Sequence, residues 1–104
     1  MLDIKPWLQS TGMSVAEERF LKPPALPYIV FLESRDVSGA DYKNCIADRD
    51  ISIELYSSKI DKVAENKIEV LLNEKSIAYK KDHVWLDSEN FFQTIYDFNL
   101  LEKL

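Results

Sequence analysis

The sequence of 104 residues has little cysteine, glycine and histidine, and it has no long hydrophobic run. Cys45 is the only cysteine, which excludes an internal disulfide, a cluster of thiolate metal ligands and a CxxC redox pair. The two glycines, Gly12 and Gly39, belong to no GxGxxG or GKS/T motif, so the sequence predicts no nucleotide site. No apolar segment is long enough to cross a bilayer, and the N-terminal residues lack a basic region followed by an apolar core. We therefore expect a cytosolic product that does not bind membranes.

Positive charge is also scarce. The 13 Lys and Arg residues are outnumbered by 18 Asp and Glu residues, which gives a formal net charge of −5. Proteins that grip nucleic acid draw their affinity from Lys and Arg, so this balance argues against that class. A hydrophobic content of 46% at this length is enough to bury a core without disulfides or a structural metal. We expect one domain spanning residues 1–104.

The clearest pattern lies between residues 50 and 72, where a predicted strand is followed by a predicted helix. Ile51, Ile53 and Leu55 recur at every second position between polar residues, which predicts a strand with one buried face. Two serines end this strand, and either could cap a helix that begins near Lys59. The helix is expected to lie on the sheet, burying Ile60, Val63, Ala64, Ile68, Leu71 and Leu72 and exposing Lys62, Glu65, Asn66, Glu69 and Asn73.

Other segments add a first helix and four further strands. A short helix is expected between Asp3, a capping residue, and Gly12, which is suited to ending helices. Strands are expected at residues 15–20, 28–32, 77–86 and 91–100, with a long polar loop or flexible hairpin tip at residues 33–44. The run at 28–32 is apolar throughout, so we expect it near the sheet centre with both faces covered. The prediction is an α+β fold, order α-β-β-β-α-β-β, with two helices and a mixed, mainly antiparallel sheet of about five strands.

Few residues have the types and spacing that catalysis or metal binding needs. His83 is the only histidine and has no neighbouring ligand residue, so we interpret it as a residue on a strand surface. An enzymatic hypothesis would pair Cys45 as nucleophile with His83 as base, but no local signature supports it. Several carboxylates could hold a divalent cation, namely Glu17, Glu18, Asp48, Asp50 and Glu54. Such charges on strands are usually only solvated. We predict no catalytic residue, no metal and no cofactor.

Aromatic residues offer two further hypotheses. Lys80 and Lys81 lie close to Tyr79 and Trp85, a mixture that binders of single-stranded nucleic acid use. Acidic residues flank this group, so an exposed strand is the favoured interpretation. The chain also has five Phe, five Tyr and two Trp, which is many for one small interior, and surplus aromatic residues gather at interfaces. We still expect most of them in the core.

Several short motifs follow one another in an order that resembles a known family. They read LKPPALPYIVFLE, GADYKN, DISIELYSSKID, a short helix and IAYKKDHVWLDSENFFQTIYDFNL. From about Leu2 to Leu101 the chain resembles the small tail-completion or head-to-tail joining proteins of long-tailed bacteriophages and prophages, which are related to tail-terminator proteins. The resemblance implies a virion protein without catalysis or cofactor. It implies a hexameric ring that caps the tail-tube protein and joins it to the head connector or stopper protein. The subunits can be monomeric before assembly, and DNA passes through the ring without specific binding.

The resemblance carries no interface residue with it, so the candidates come from polar character beside the core pattern. They are Arg35, Asp36, Ser38, Gly39, Asp41, Tyr42, Lys43 and Asn44 in the predicted loop, with Glu54 and Tyr56 on the less buried face of the central strand. The alternative function is a small cytosolic interaction module that binds a peptide or partner at a sheet edge.

Overall fold

Two helices and five strands make up the computed structural model, which describes residues 1–39 and 46–104. The elements are α1 (Ile4–Gln9), β1 (Ser14–Glu17), β2 (Tyr28–Ser38), β3 (Ile46–Ser57), α2 (Lys62–Glu74), β4 (Lys80–Leu86) and β5 (Phe91–Lys103). The strands form one sheet in the order β1-β2-β3-β5-β4, in which only β1 and β2 run parallel. This confirms the predicted α+β class, the element order and the mainly antiparallel sheet.

The core lies between the two helices and one face of the sheet. Ile53 sits at its centre, fully buried and paired across β3 with Phe31 of β2 and Tyr96 of β5. Its neighbours Ile51 and Leu55 are buried on the same face, as their alternation predicts. The helices contribute to the same cluster with Ile4, Leu8, Ala64, Ile68 and Leu72.

The predicted loop at residues 33–44 is wrong for its first half. Residues from Glu33 to Ser38 continue β2 and pair with β3, from Glu33 opposite Ile51 to Ser38 opposite Ile46. Polar side chains are suited to this part of β2 because both of its faces are exposed. Although these residues lack apolar periodicity, their backbone groups are satisfied by hydrogen bonds to β3. The first part of β2 does fit the prediction of a strand near the sheet centre with both faces covered, since it lies beside the central β3 and Tyr28 to Phe31 are buried. Leu32, which is 39% exposed, is the exception.

The second helix starts later and is rotated relative to the prediction. Asp61, rather than a serine, caps it by accepting a hydrogen bond from the Ala64 N–H at 3.0 Å. Val63 is 71% exposed, whereas Glu65 is only 3% exposed and faces the sheet. The rotation follows because Glu65 finds cationic and hydroxyl partners on the strands, which offset the cost of burying its charge.

Three strands extend beyond the other two and make the molecule long. β1 pairs only with residues 28–31 of β2, and β4 pairs only with residues 91–97 of β5. The far ends of β2, β3 and β5 therefore form a three-stranded extension, in a molecule measuring 51 × 28 × 22 Å. No helix in the described ranges is long and apolar enough to cross a membrane.

Candidate assembly surface

The sheet has two unlike faces. Residues directly opposite each other in antiparallel strands point to the same side, so the register assigns every strand residue to a face. Both helices pack on the face that contains Ile51, Ile53 and Leu55, which we call the helix-covered face. The other side, which we call the open face, is formed by alternate residues of β2, β3 and β5, among them Leu32, Asp36, Ser38, Ile46, Asp48, Asp50, Ser52, Glu54, Tyr56, Ile95, Asp97, Asn99 and Leu101.

One end of the open face carries a row of four aromatic rings, Phe20, Tyr28, Tyr56 and Phe91, which we call the aromatic row. Tyr28 and Tyr56 lie opposite each other on neighbouring strands and stack with centroids 5.2 Å apart. Phe20 meets Tyr28 edge to face at 5.3 Å, and Phe91 meets Tyr56 in the same way at 5.5 Å. Such ring pairs contribute stability beyond that of the area they bury, so the four rings hold one another in fixed positions.

Tyr56 also fixes polar groups beside the row. Its hydroxyl donates to Glu54 at 2.9 Å and accepts from the Gln93 side chain at 3.0 Å. Burial, followed by the hydrogen bond to Glu54, raises the pKa of Tyr56 above its ordinary value. Tyr56 therefore stays neutral at physiological pH and remains a hydrogen-bond donor.

The other end of the open face is acidic. Asp36 and Asp48 lie directly opposite each other on β2 and β3, a placement of like charges that opposes folding. The Asn99 side chain lies between two carboxylates and donates to Asp48 and, at 2.9 Å, to Asp50. Within the described ranges, none of these three aspartates forms a salt bridge. Their charges are therefore left for solvent or for a partner.

Apolar side chains stand among these charges. Leu101, opposite Asp48, is 70% exposed, and Ile46 at the end of β3 is 42% exposed. Leu32 contributes a third exposed apolar side chain in the middle of the face. Exposed apolar groups that are rimmed by polar residues are typical of protein contact surfaces.

The structure divides the predicted interface residues among different places. Asp36, Ser38, Glu54 and Tyr56 all lie on the open face, but Tyr56 and Asp48 are eight residues apart on β3, about 26 Å at about 3.3 Å per residue. Asp36 and Ser38 therefore lie at one end of the face, and Glu54 and Tyr56 lie toward the other end, so the four residues form no single patch. Arg35 lies on the helix-covered face, where its guanidinium donates to Glu33 at 2.7 Å. Gly39 follows β2, and the remaining candidates Asp41, Tyr42, Lys43 and Asn44 lie outside the described residues.

Sequence reasoning missed a buried ionic cluster around Arg49. This side chain is 2% exposed, makes two hydrogen bonds of 2.8 Å to the Glu33 carboxylate, and also donates to Glu102 and to the Leu2 carbonyl. The hydrogen bond from Arg49 holds the pKa of Glu33 below its ordinary value. Arg49 lies two residues before Ile51 and therefore on the same side of β3, so the alternation along this strand indicates that Arg49 is buried.

A second buried cluster surrounds Glu65. Its carboxylate receives Lys81 Nζ at 2.8 Å, contacts His83 Nε2 at 2.9 Å and accepts from the Thr94 hydroxyl at 3.2 Å. Burial raises the pKa of Glu65, but the hydrogen bonds from Lys81 and His83 outweigh it and hold the pKa below its ordinary value. His83 does lie on a strand, as predicted, but it anchors α2. Cys45, its partner in the enzymatic hypothesis, lies outside the described residues.

The remaining hypotheses concern metals and nucleic acid. Residues 1–39 and 46–104 contain no group of three or more His, Cys, Asp or Glu side chains placed to hold a metal ion. Lys80 and Lys81 point to opposite faces of β4, and Lys81 is paired with Glu65. Trp85 packs on Phe92 with ring centroids 4.9 Å apart, on the helix-covered side. The basic and aromatic residues of β4 therefore do not form one surface.

Comparison with protein-family models gives no match for this chain, and a search of curated proteins gives no significant match.

Proposed function

We propose that this protein is a structural virion subunit that caps a phage tail tube and joins it to the head connector or stopper protein as an oligomeric ring. The observation that carries the proposal is the open face, a long surface on which exposed leucine and isoleucine side chains lie among carboxylates that form no salt bridge within the described residues. A sheet face that met only water would favour polar residues throughout. The order of motifs that resembles the tail-completion family supports the same function.

The mechanism in this proposal is geometric. A contact between unlike surfaces of identical subunits closes into a ring when the rotation between subunits permits it. The elongated sheet offers such a subunit a surface at each end, the aromatic row at one and the acidic three-stranded extension at the other. The formal net charge of −5 would repel phosphate, so DNA could pass through the ring without adhering.

Electron microscopy of tail tubes mixed with the purified protein tests this function. The expected result is protein density at one end of each tube and an arrest of tube elongation. The unfolding variant Ile53→Asp at the same concentration is the control, since it lacks the folded surface. Tubes that elongate normally, with bare ends, would refute the proposal.

One observation favours a second candidate, a module that binds an extended peptide at a sheet edge. β4 is an edge strand, and its residues from Lys80 to Trp85 are all exposed. Edge strands can accept another strand through their free backbone groups. Genes for a connector, capsid and tail-tube protein beside this gene would favour the phage function, whereas a regulatory operon would favour the peptide module.

A further inference from the structure

The aromatic end of the open face contains a cavity of about 340 Å³. The four rings of the aromatic row line it, and Glu18 and Glu89 add carboxylates from the segments on either side. This volume lies near the lower end of the range of ligand pockets, about 300–1,000 Å³. It suits a single long side chain better than a large cofactor.

The lining favours a cation. Aromatic rings present negative faces that attract ammonium and guanidinium groups, and the attraction grows when water is excluded. The charge of Glu89 is felt inside this cavity. The pKa of Tyr28 is raised above its ordinary value, mainly by burial and in addition by the negative charge of Glu89. The Glu54 carboxylate, bound to the Tyr56 hydroxyl, adds negative charge beside the cavity. Rings and carboxylates thus attract the same class of group.

The two lining carboxylates stand on well-fixed backbone. The Glu18 N–H donates to the Phe31 carbonyl at 2.8 Å, which ties it to β2. On the opposite side, the N–H groups of Glu89 and Asn90 donate to the Leu86 carbonyl at 3.1 and 2.8 Å and close the turn between β4 and β5. A site with a fixed backbone loses less conformational freedom when a ligand binds.

Arg19 is a cation of the chain itself that lines the cavity. Within the described ranges it makes no cation–π contact with the aromatic row, the single such contact being that of Lys81 with Tyr96. Arg19 is exposed, so it can turn aside when another cation enters.

We propose that this cavity binds the cationic end of an arginine or lysine side chain that a protein partner presents to the open face. The acidic character of the rest of the face, with Asp36, Asp48 and Asp50 unpaired among described residues, complements a basic partner surface. The inference rests on the proposed function in one respect, since it gives the chemistry of the surface that the subunit would meet during assembly.

Nuclear magnetic resonance titration of the whole chain with capped tripeptides tests the inference. Gly-Arg-Gly is compared with Gly-citrulline-Gly, which has nearly the same shape without the charge. The arginine peptide should shift the ring signals of Phe20, Tyr28, Tyr56 and Phe91 saturably, and the citrulline peptide should bind at least about fivefold more weakly. The exposed substitution Glu89→Gln should weaken the arginine peptide, whereas the matched control Glu74→Gln on α2 should not.

Three results would overturn the assignment. They are equal binding of the two peptides, absence of saturable ring shifts up to tens of millimolar peptide, and tighter binding of choline than of the arginine peptide. The last would point to a small organic cation rather than a protein side chain. Since this titration needs no tail tubes, arginine binding without tube capping would refute the proposed function alone, and capping without arginine binding would refute this inference alone.

Discussion

Charged residues meet opposite conditions on the two faces of the sheet. On the helix-covered face, Arg49 and Glu65 are buried, and each is surrounded by oppositely charged and hydrogen-bonding partners. On the open face, Asp36 and Asp48 lie opposite each other without an ionic partner in the described part of the chain. The first face uses charge to hold its own chain together. The second retains charge that disfavours its own folding, which is expected of a surface that acts on another molecule.

The largest effect on stability should follow from placing a charge on the covered side of β3. Ile53→Asp buries an unpaired carboxylate at the centre of the core and should cost more than about 4 kcal/mol, enough to unfold the domain. Ser52→Asp, one residue away on the open face, is the matched control and should stay folded. Circular dichroism and thermal melting measure both. A folded Ile53→Asp monomer would mean that the two faces have been assigned the wrong way round.

The next effect should separate two arginines that bind the same carboxylate. Arg49→Met leaves Glu33 and Glu102 without their buried partner and should destabilise the fold by about 3–5 kcal/mol. Arg35→Met removes an ion pair with Glu33 in which the arginine side chain is 38% exposed, and should cost about 1 kcal/mol or less. Urea unfolding measures both free energies. Similar losses in the two variants would contradict the contrast between buried and exposed pairing.

The dependence of stability on pH should also reflect the paired carboxylates of the helix-covered face. The pKa values of Glu33, Glu65, Glu69 and Glu102 are lowered from 4.5 in the folded protein. A lowered folded pKa gives stability that is present above the unfolded value and is lost as the pH falls through the folded value. Unfolding free energy should therefore decline below about pH 4.5, the unfolded value.

The variant Glu65→Gln should make that decline shallower, because one of the linked carboxylates is gone. Glu74→Gln, which alters a carboxylate exposed on α2, is the control and should keep the wild-type slope. Urea unfolding between pH 6 and pH 3 gives the comparison. An unchanged slope in Glu65→Gln would show that its ion pairs do not stabilise the fold.

The smallest effect should have the opposite sign. Asp36→Asn removes one of two like charges that face each other across β2 and β3, and should stabilise the fold by about 0.2–1 kcal/mol. The mutation should raise the melting temperature slightly, and added salt should shrink the difference from wild type. A lower melting temperature would indicate that Asp36 has a stabilising partner.

The sequence predicts the covered face better than the open one. The alternation of Ile51, Ile53 and Leu55 shows which side of β3 is buried, since apolar burial repeats every second residue. It does not reveal that Glu65 turns inward, because that depends on Lys81 and His83, which lie far along the chain on β4. Ion pairs between distant segments leave no local periodicity.

The candidate surface was predictable only in part. The sequence predicts that Glu54 and Tyr56 lie on the less buried side of β3, as they do, because they alternate with strongly apolar residues. The sequence predicts no strand at residues 33–38, since their pairing with β3 depends on the register between the two strands rather than on their own apolar content. The aromatic row could not be foreseen, because Phe20, Tyr28, Tyr56 and Phe91 come from four separate segments.

The most direct test asks whether the open face performs the assembly. Asp48→Lys/Asp50→Lys reverses two charges on the open face, and Lys62→Glu/Lys67→Glu reverses two exposed charges on α2 as a matched control. The fraction of tail tubes with a capped end, counted by electron microscopy, is compared with wild type. The open-face variant should stay folded and cap few tubes, while the α2 variant should cap as many as wild type. Normal capping by the open-face variant would contradict the assignment of function to that face.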